Sequence, residues 1–145
     1  MKFVIPFLAV CIALAPIKLS AHCQLPCGIY HDDLKFAQLD ECIQTIKKAI
    51  DEIKANGGGS ALENNQLVRS VNLKDEYADK IAHMMSFYFL QQRMSSSEKN
   101  FAPMLCKAFE ILKMSAQVKS SVDVTLVNEL QSSIASFKKL YKHID

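Results

Sequence analysis

No stretch of this sequence is long and apolar enough to cross a membrane as a helix. The longest apolar run, Phe3 to Ile17, is broken by Pro6 and Pro16 and falls short of the roughly 20 residues a spanning helix needs. No alternating strand pattern competes with the helical spacings, and no repeat with a period of about 20 to 50 residues is visible. The only low-complexity piece is Gly57-Gly58-Gly59. Basic stripes interleaved with aromatics, the footprint of a nucleic-acid binder, are missing as well. These absences argue against a membrane-spanning helix, a β-rich fold and a solenoid, and they give no reason to expect a nucleic-acid partner.

What is present begins with a leader. Met1-Lys2 supplies a basic start, Phe3 to Ile17 an apolar middle, and Leu19-Ser20-Ala21 a small-residue cleavage site. The expectation is a signal peptide over residues 1–21, removed on export to the periplasm or the extracellular space, with no stable membrane anchor afterwards. Leu19-Ser20-Ala21 nearly forms a lipoprotein signal, but His22 stands where the lipidated cysteine would be. Cleavage after Ala21 leaves 124 of 145 residues, a length suited to one domain over 22–145. Lys2 and Lys18 leave with the leader, so the 17 basic residues fall to 15, against 15 acidic ones. The apparent basicity of the chain therefore belongs to its leader.

Helical spacing fills the remainder. Leu39, Cys42, Ile43, Ile46, Ala49, Ile50 and Ile53 recur at three- and four-residue steps and predict a helix over about 33–55. Asp32 or Asp33 can cap its start, and Asn56-Gly57-Gly58-Gly59 ends it. Ser60-Ala61-Leu62-Glu63 has the form of a capping box and opens a second helix over 61–92, carried by Leu67, Val71, Ala78, Ile81, Met85, Tyr88 and Phe89. Lys74, Asp75, Asp79 and Lys80 read as its charged outer face. Ser95-Ser96-Ser97-Glu98 repeats the capping signature before a third helix over 98–119, with Phe101, Leu105, Ala108, Phe109, Leu112 and Ala116 as its stripe. Pro103 lies early enough in that helix to be tolerated. The fourth helix, over 123–143, runs through Val124, Val127, Leu130, Ile134, Phe137 and Tyr141. Four amphipathic helices on short turns predict an all-α fold, an antiparallel up-and-down four-helix bundle behind an N-terminal hook.

The hook is His22-Cys23-Gln24-Leu25-Pro26-Cys27-Gly28-Ile29-Tyr30. Two thiols three residues apart, in a tight segment with a proline, can bring both sulfurs to one metal ion. Cleavage after Ala21 would give His22 a free α-amino group beside its imidazole, and the backbone nitrogen of Cys23 can close a chelate ring. A planar set of nitrogen and sulfur donors favours nickel(II) or copper(II) over tetrahedral zinc. Other readings remain beside this one. Cys23 and Cys27 can form a disulfide. Structural zinc would want a second ligand pair, and a c-type haem would want Cys-x-x-Cys-His; the sequence offers neither. Cys42 and Cys106 fall within helical patterns and read as buried, inert thiols. His83 reads as a helix-surface residue, His31 as a solvated turn residue, and Met84, Met85, Met104 and Met114 as packing.

The sequence His-Cys-x-x-Pro-Cys-Gly-x-Tyr at a processed N-terminus, followed by a four-helix domain, resembles the nickel-containing superoxide dismutases. The hook matches at every fixed position. The resemblance implies an exported enzyme that disproportionates superoxide to dioxygen and hydrogen peroxide with a nickel ion cycling between Ni(II) and Ni(III), in a homohexamer. It implies that His22 supplies its α-amino nitrogen and its imidazole, Cys23 its thiolate and amide nitrogen, and Cys27 the second thiolate. Pro26 would turn the hook, and Tyr30 would stand over the open face of the metal and order small anions or water. Two positions depart from the family. Gln24 stands where an acidic residue is frequent, and Gln38 stands where the family holds the axial imidazole with a carboxylate, a contact that fixes ligand orientation. Arg69 falls where the second helix of the family carries an arginine in the same network. The alternative from another class is a non-catalytic exported protein that captures nickel or copper with the same hook.

Overall fold

The computed structural model describes residues 30–56 and 59–141. The leader, its cleavage site, and His22, Cys23, Pro26 and Cys27 lie outside the described residues. Four helices follow in order: α1 (Asp32–Ala55), α2 (Ala61–His83), α3 (Phe101–Lys119) and α4 (Val124–Tyr141). α2 continues directly into a π-helical segment, Met84–Arg93. No strand occurs among the described residues. α1 packs on α2 and α4, and α3 packs on the same two helices. The short connections reverse the chain at each turn, so the four rods close into an up-and-down ring.

The core forms where the predicted stripes meet. Leu39, Ile43, Ile46 and Ile50 of α1, Ile81 of α2, and Val127, Leu130 and Phe137 of α4 are fully buried. Ser60 accepts from the Glu63 amide at 3.3 Å, and the Ser60 amide donates to Glu63 Oε2 at 2.6 Å, so the capping box at the start of α2 is complete. A Cβ at Gly59 would stand 1.8 Å from Glu63 Oε2, so a side chain there would require the flexible Glu63 carboxylate to shift.

Three expectations are corrected. The third helix begins at Phe101, not 98, because Ser95-Ser96-Ser97-Glu98 closes into a separate turn. Its Glu98 amide donates to the Ser95 carbonyl at 3.1 Å and its Phe101 amide to the Glu98 carbonyl at 3.1 Å. The stripe of α3 is also rotated by one position. Met104, Ala108, Ile111, Met114 and Val118 point inward, while Phe109 is 62% exposed and Leu105 42%. α3 is apolar on adjacent faces, so its spacing admits two phases, and packing against α2 and α4 selects one. Cys106 shares the outward face and is exposed; Cys42 is buried as expected.

The third correction concerns Lys74, which is 2% exposed. Its Nζ donates to the Val118 carbonyl at 2.9 Å, the Lys119 carbonyl at 2.7 Å and Asp75 Oδ1 at 2.7 Å. The last carbonyls of a helix have no partner within it and carry its negative dipole end. Lys74 therefore closes α3 from the side of α2, and what looks like part of a charged surface is a buried cap. Lys74→Met keeps most of the stem and removes all three donors. It should lower stability by about 1.5–3 kcal/mol, the range for hydrogen bonds to a charged group. Urea unfolding measures this, and an unchanged midpoint would show that the cap contributes nothing.

Candidate functional site

At the end of the bundle where α1 begins, four rings form a floor. Phe36 and Phe89 lie 4.9 Å apart between centroids, Phe89 and Phe137 5.2 Å, and Phe137 stacks on Tyr141 at 5.9 Å. The faces and edges meet at angles that aromatic quadrupoles favour. Tyr141 is the member with a polar end, and its hydroxyl reaches out of the floor toward the start of α1.

Asp32 receives it. Tyr141 Oη donates to Asp32 Oδ2 at 2.6 Å and Tyr88 Oη to Asp32 Oδ1 at 2.5 Å. Arg93 grips the same carboxylate with two nitrogens, Nη2 to Oδ2 at 2.5 Å and Nε to Oδ1 at 3.0 Å. One side chain in the first turn of α1 thereby binds the π-helical segment and the end of α4. Asp32 also lies at the positive end of the α1 dipole, which favours its charge.

The π-helical segment makes this possible. In an α-helix residues five apart point about 140° away from each other. The i→i+5 bonding of a π-helix brings them onto one side, and so Tyr88 and Arg93 both reach Asp32. The Met94 amide closes the segment on the Phe89 carbonyl at 2.9 Å. Ser86 helps to open it, since its hydroxyl donates to the Ala82 carbonyl at 2.8 Å and competes for the backbone at the junction.

Tyr30, two residues before Asp32, is where the described chain leaves the hook. The Arg93 guanidinium lies 4.5 Å from the centroid of its ring, and the edge of Tyr88 meets it at 6.0 Å. Lys35, one turn into α1, stands 5.4 Å from the Tyr88 ring and donates to Gln38 Oε1 at 3.0 Å. Tyr30 is thus seated on groups that Asp32 and Arg93 hold in place.

The charges follow from this packing. Burial alone would raise the Asp32 carboxyl, but hydrogen bonds from Arg93, Tyr141 and Tyr88 outweigh it and hold the group below its ordinary value of 3.8. Burial pushes the Tyr88 and Tyr141 phenols well above the ordinary value of 10.0, and their bonds to the Asp32 carboxylate push in the same direction. Arg93 is raised chiefly by its bond to Asp32. At neutral pH the network is one carboxylate, one guanidinium and two protonated phenols.

Of the site residues expected from the sequence, Tyr30 and Gln38 lie in this neighbourhood and Arg69 does not. Gln38 is half-buried, bound to Lys35, and lines a cavity of about 540 Å³ between α1 and α2 together with Cys42, Tyr77 and His83. Arg69 is exposed on α2, beside Gln66, Asn72 and Glu76. It lies 24 positions before Arg93, which at helical rise is roughly 35 Å along the axis. The arginine seated against the exit of the hook is Arg93. Of the 17 basic residues only Arg69 and Arg93 are arginine, and that sparing use was the signal available for a bidentate carboxylate partner. Asp32, Tyr88 and Tyr141 read as cap and core positions, and their shared role has no signature at helical spacing.

Among the described residues no group of three histidine, cysteine or carboxylate side chains is placed to hold a metal. Cys42 is buried on α1 and its thiol is pushed up by burial, while Cys106 is exposed on α3. A family model described as nickel-containing superoxide dismutase matches residues 17–144, which takes in both the hook and the bundle. No curated protein and no solved structure matches the chain.

The network sets a pH window for the fold. The lowered carboxyl of Asp32 contributes stability that is present above its ordinary value and lost as pH falls through its folded value. The raised phenols contribute stability that is present below 10.0 and lost as pH climbs through their folded values. Asp32→Asn removes the charge and one acceptor. It should lower stability at pH 7 by about 1–3 kcal/mol, since the pair is partly open to water. It should also lower the titration of Tyr88 and Tyr141 relative to the unaltered chain in an ultraviolet pH titration, while burial keeps them above ordinary phenols. Phenols that titrate as they do in the unaltered chain would contradict the role given to Asp32.

Proposed function

The chain belongs to the nickel-containing superoxide dismutase family, an oxidoreductase family whose cofactor is nickel and whose substrate is superoxide, and on that premise we propose that its nickel is held in the hook through His22, Cys23 and Cys27. The observation that carries this is the family match across residues 17–144, which joins the Cys23-to-Cys27 segment to the helices behind it. The donor chemistry fits. With Cys42 buried and Cys106 alone on an outer face, Cys23 and Cys27 are the thiols able to act together. Two thiolates, the α-amine of His22 and the Cys23 amide would make a set of nitrogen and sulfur donors suited to nickel, with the His22 imidazole as a further donor.

When bound, nickel supplies a one-electron couple between its divalent and trivalent states, by which one superoxide is oxidised to dioxygen and the next is reduced, with two protons, to hydrogen peroxide. The residues of this chain prepare the place. The Cys23 and Cys27 thiolates donate electron density, without which aqueous nickel is far too hard to oxidise. Pro26 turns the segment. Tyr30, the last residue of the hook, has its ring seated against Arg93 and Tyr88. Tyr88 and Tyr141 both donate to the Asp32 carboxylate and so tie the π-helical segment and α4 to the start of α1.

Export completes the ligand set in this proposal, because removal of residues 1–21 creates the α-amine of His22. The homohexamer belongs to the same reading. Leu62, Val68, Leu105 and Phe109 are large apolar side chains exposed on the subunit, which a hexamer would have room to cover.

Processing is the step to test. One additional residue before His22 replaces the amine by an amide. It should lower the dismutase activity of nickel-loaded protein by at least about 10- to 100-fold, the range that loss of even an outer contact costs a metal site. Pulse radiolysis on protein with and without the extra residue measures it. Full activity from the extended chain would show that the amine is not a ligand.

A further inference from the structure

The cavity of about 540 Å³ between α1 and α2 is open to solvent and falls within the size range of small-molecule sites. Cys42 stands on the α1 stripe among Leu39, Ile43 and Ile46, and its short side chain leaves room opposite α2. The apolar part of the lining is Cys42, Tyr77 and Met84, the last being the first residue of the π-helical segment. The charged part is mostly acidic. Glu41 of α1 with Glu76 and Asp79 of α2 stands against one lysine, Lys80. Lys80 Nζ lies 3.8 Å from the centroid of the Tyr77 ring and 2.8 Å from Glu76 Oε1. Asp79 is taken up by Lys119 at 2.9 Å, while Glu41 makes no ion pair among the described residues.

We propose that this cavity binds a small organic cation with an apolar body, an aryl- or alkylammonium, whose charge takes the seat on the Tyr77 ring that Lys80 now fills. An aromatic face beside carboxylates attracts ammonium, and the chain already places its own ammonium there. Lys80 is a weak occupant. Its side chain and that of Glu76 are both exposed, and an exposed pair one turn apart on a helix gains little. A ligand adds what the lysine stem lacks, an apolar body to bury against Cys42 and Met84. The unpaired Glu41 supplies the charge that a second cation would answer, and its field reaches the cavity, since it acts on the Cys42 thiol from one side and Lys80 from the other. An anion would meet three carboxylates instead. Nickel and the hook play no part in this binding.

The probe is benzyltrimethylammonium, followed by NMR on protein whose methionine methyl groups carry carbon-13, with benzoate as the anionic comparator. The Met84 signal, identified by its loss in Met84→Leu, should shift with half-saturation on the order of a millimolar, as befits so small a ligand. Benzoate should leave it in place. Glu41→Gln should weaken binding about two- to fivefold and Tyr77→Leu about fivefold or more, while Tyr77→Phe keeps the ring face and should keep the affinity. Lys80→Gln empties the seat and should tighten binding about two- to fivefold. Lys48→Gln removes the same charge elsewhere on α1 and should change nothing. A Met84 signal unmoved at about ten times the expected half-saturation, an equal shift with benzoate, or a Lys80→Gln chain that binds no more tightly overturns the assignment. A Met84 signal that moves with protein concentration in the absence of probe shows a second copy over the cavity and overturns it as well.

Discussion

The carboxylate of Asp32 is the interaction on which the working end of this molecule depends. It binds a guanidinium and two phenols, drawn from the π-helical segment and from the last turn of α4. These elements are separated by most of the chain, and one acceptor in the first turn of α1 joins them. The aromatic floor beneath gives Tyr141 and Phe89 their places, and Asp32 gives the two phenols their direction. Tyr30 inherits its seat from both, because the groups it touches, Arg93 and Tyr88, are the ones Asp32 holds.

This arrangement divides the labour between bundle and hook. Among the described residues no three histidine, cysteine or carboxylate side chains are placed to hold a metal, and in the proposed reading the bundle fixes the point from which the hook departs. A buried cap such as Lys74 closes α3 against α2 where the two helices meet. The π-helical segment is a device often found beside functional sites, and here it re-aims side chains that an α-helix would scatter.

Much of this was legible in the residues. The spacing of Leu39, Ile43, Ile46 and Ile50 predicts α1, and Ser60 with Glu63 predicts the start of α2; both follow from local rules that the packing respects. The family was legible because the motif of the hook is concentrated in nine consecutive positions, and the family match spans residues 17–144. What escaped reading is non-local or departs from the 3.6-residue period. The phase of α3 depends on which of two apolar faces meets α2 and α4. The buried state of Lys74 depends on where α3 ends. Tyr88 and Arg93 share a face only in a π-helix, and the Asp32 network joins residues up to 109 positions apart. An arginine at position 69 matched a pattern in sequence, while the fold seats Arg93 beneath Tyr30.

The central claim is that this bundle serves a nickel ion bound by the sulfurs of Cys23 and Cys27 at the end of a processed chain. Nickel K-edge X-ray absorption on the processed, nickel-loaded protein addresses it directly. The account predicts a shell with sulfur scattering from two thiolates and the remaining donors nitrogen, and loss of the sulfur contribution when Cys23 and Cys27 are replaced by serine. A shell of nitrogen and oxygen alone in the unaltered protein would contradict it.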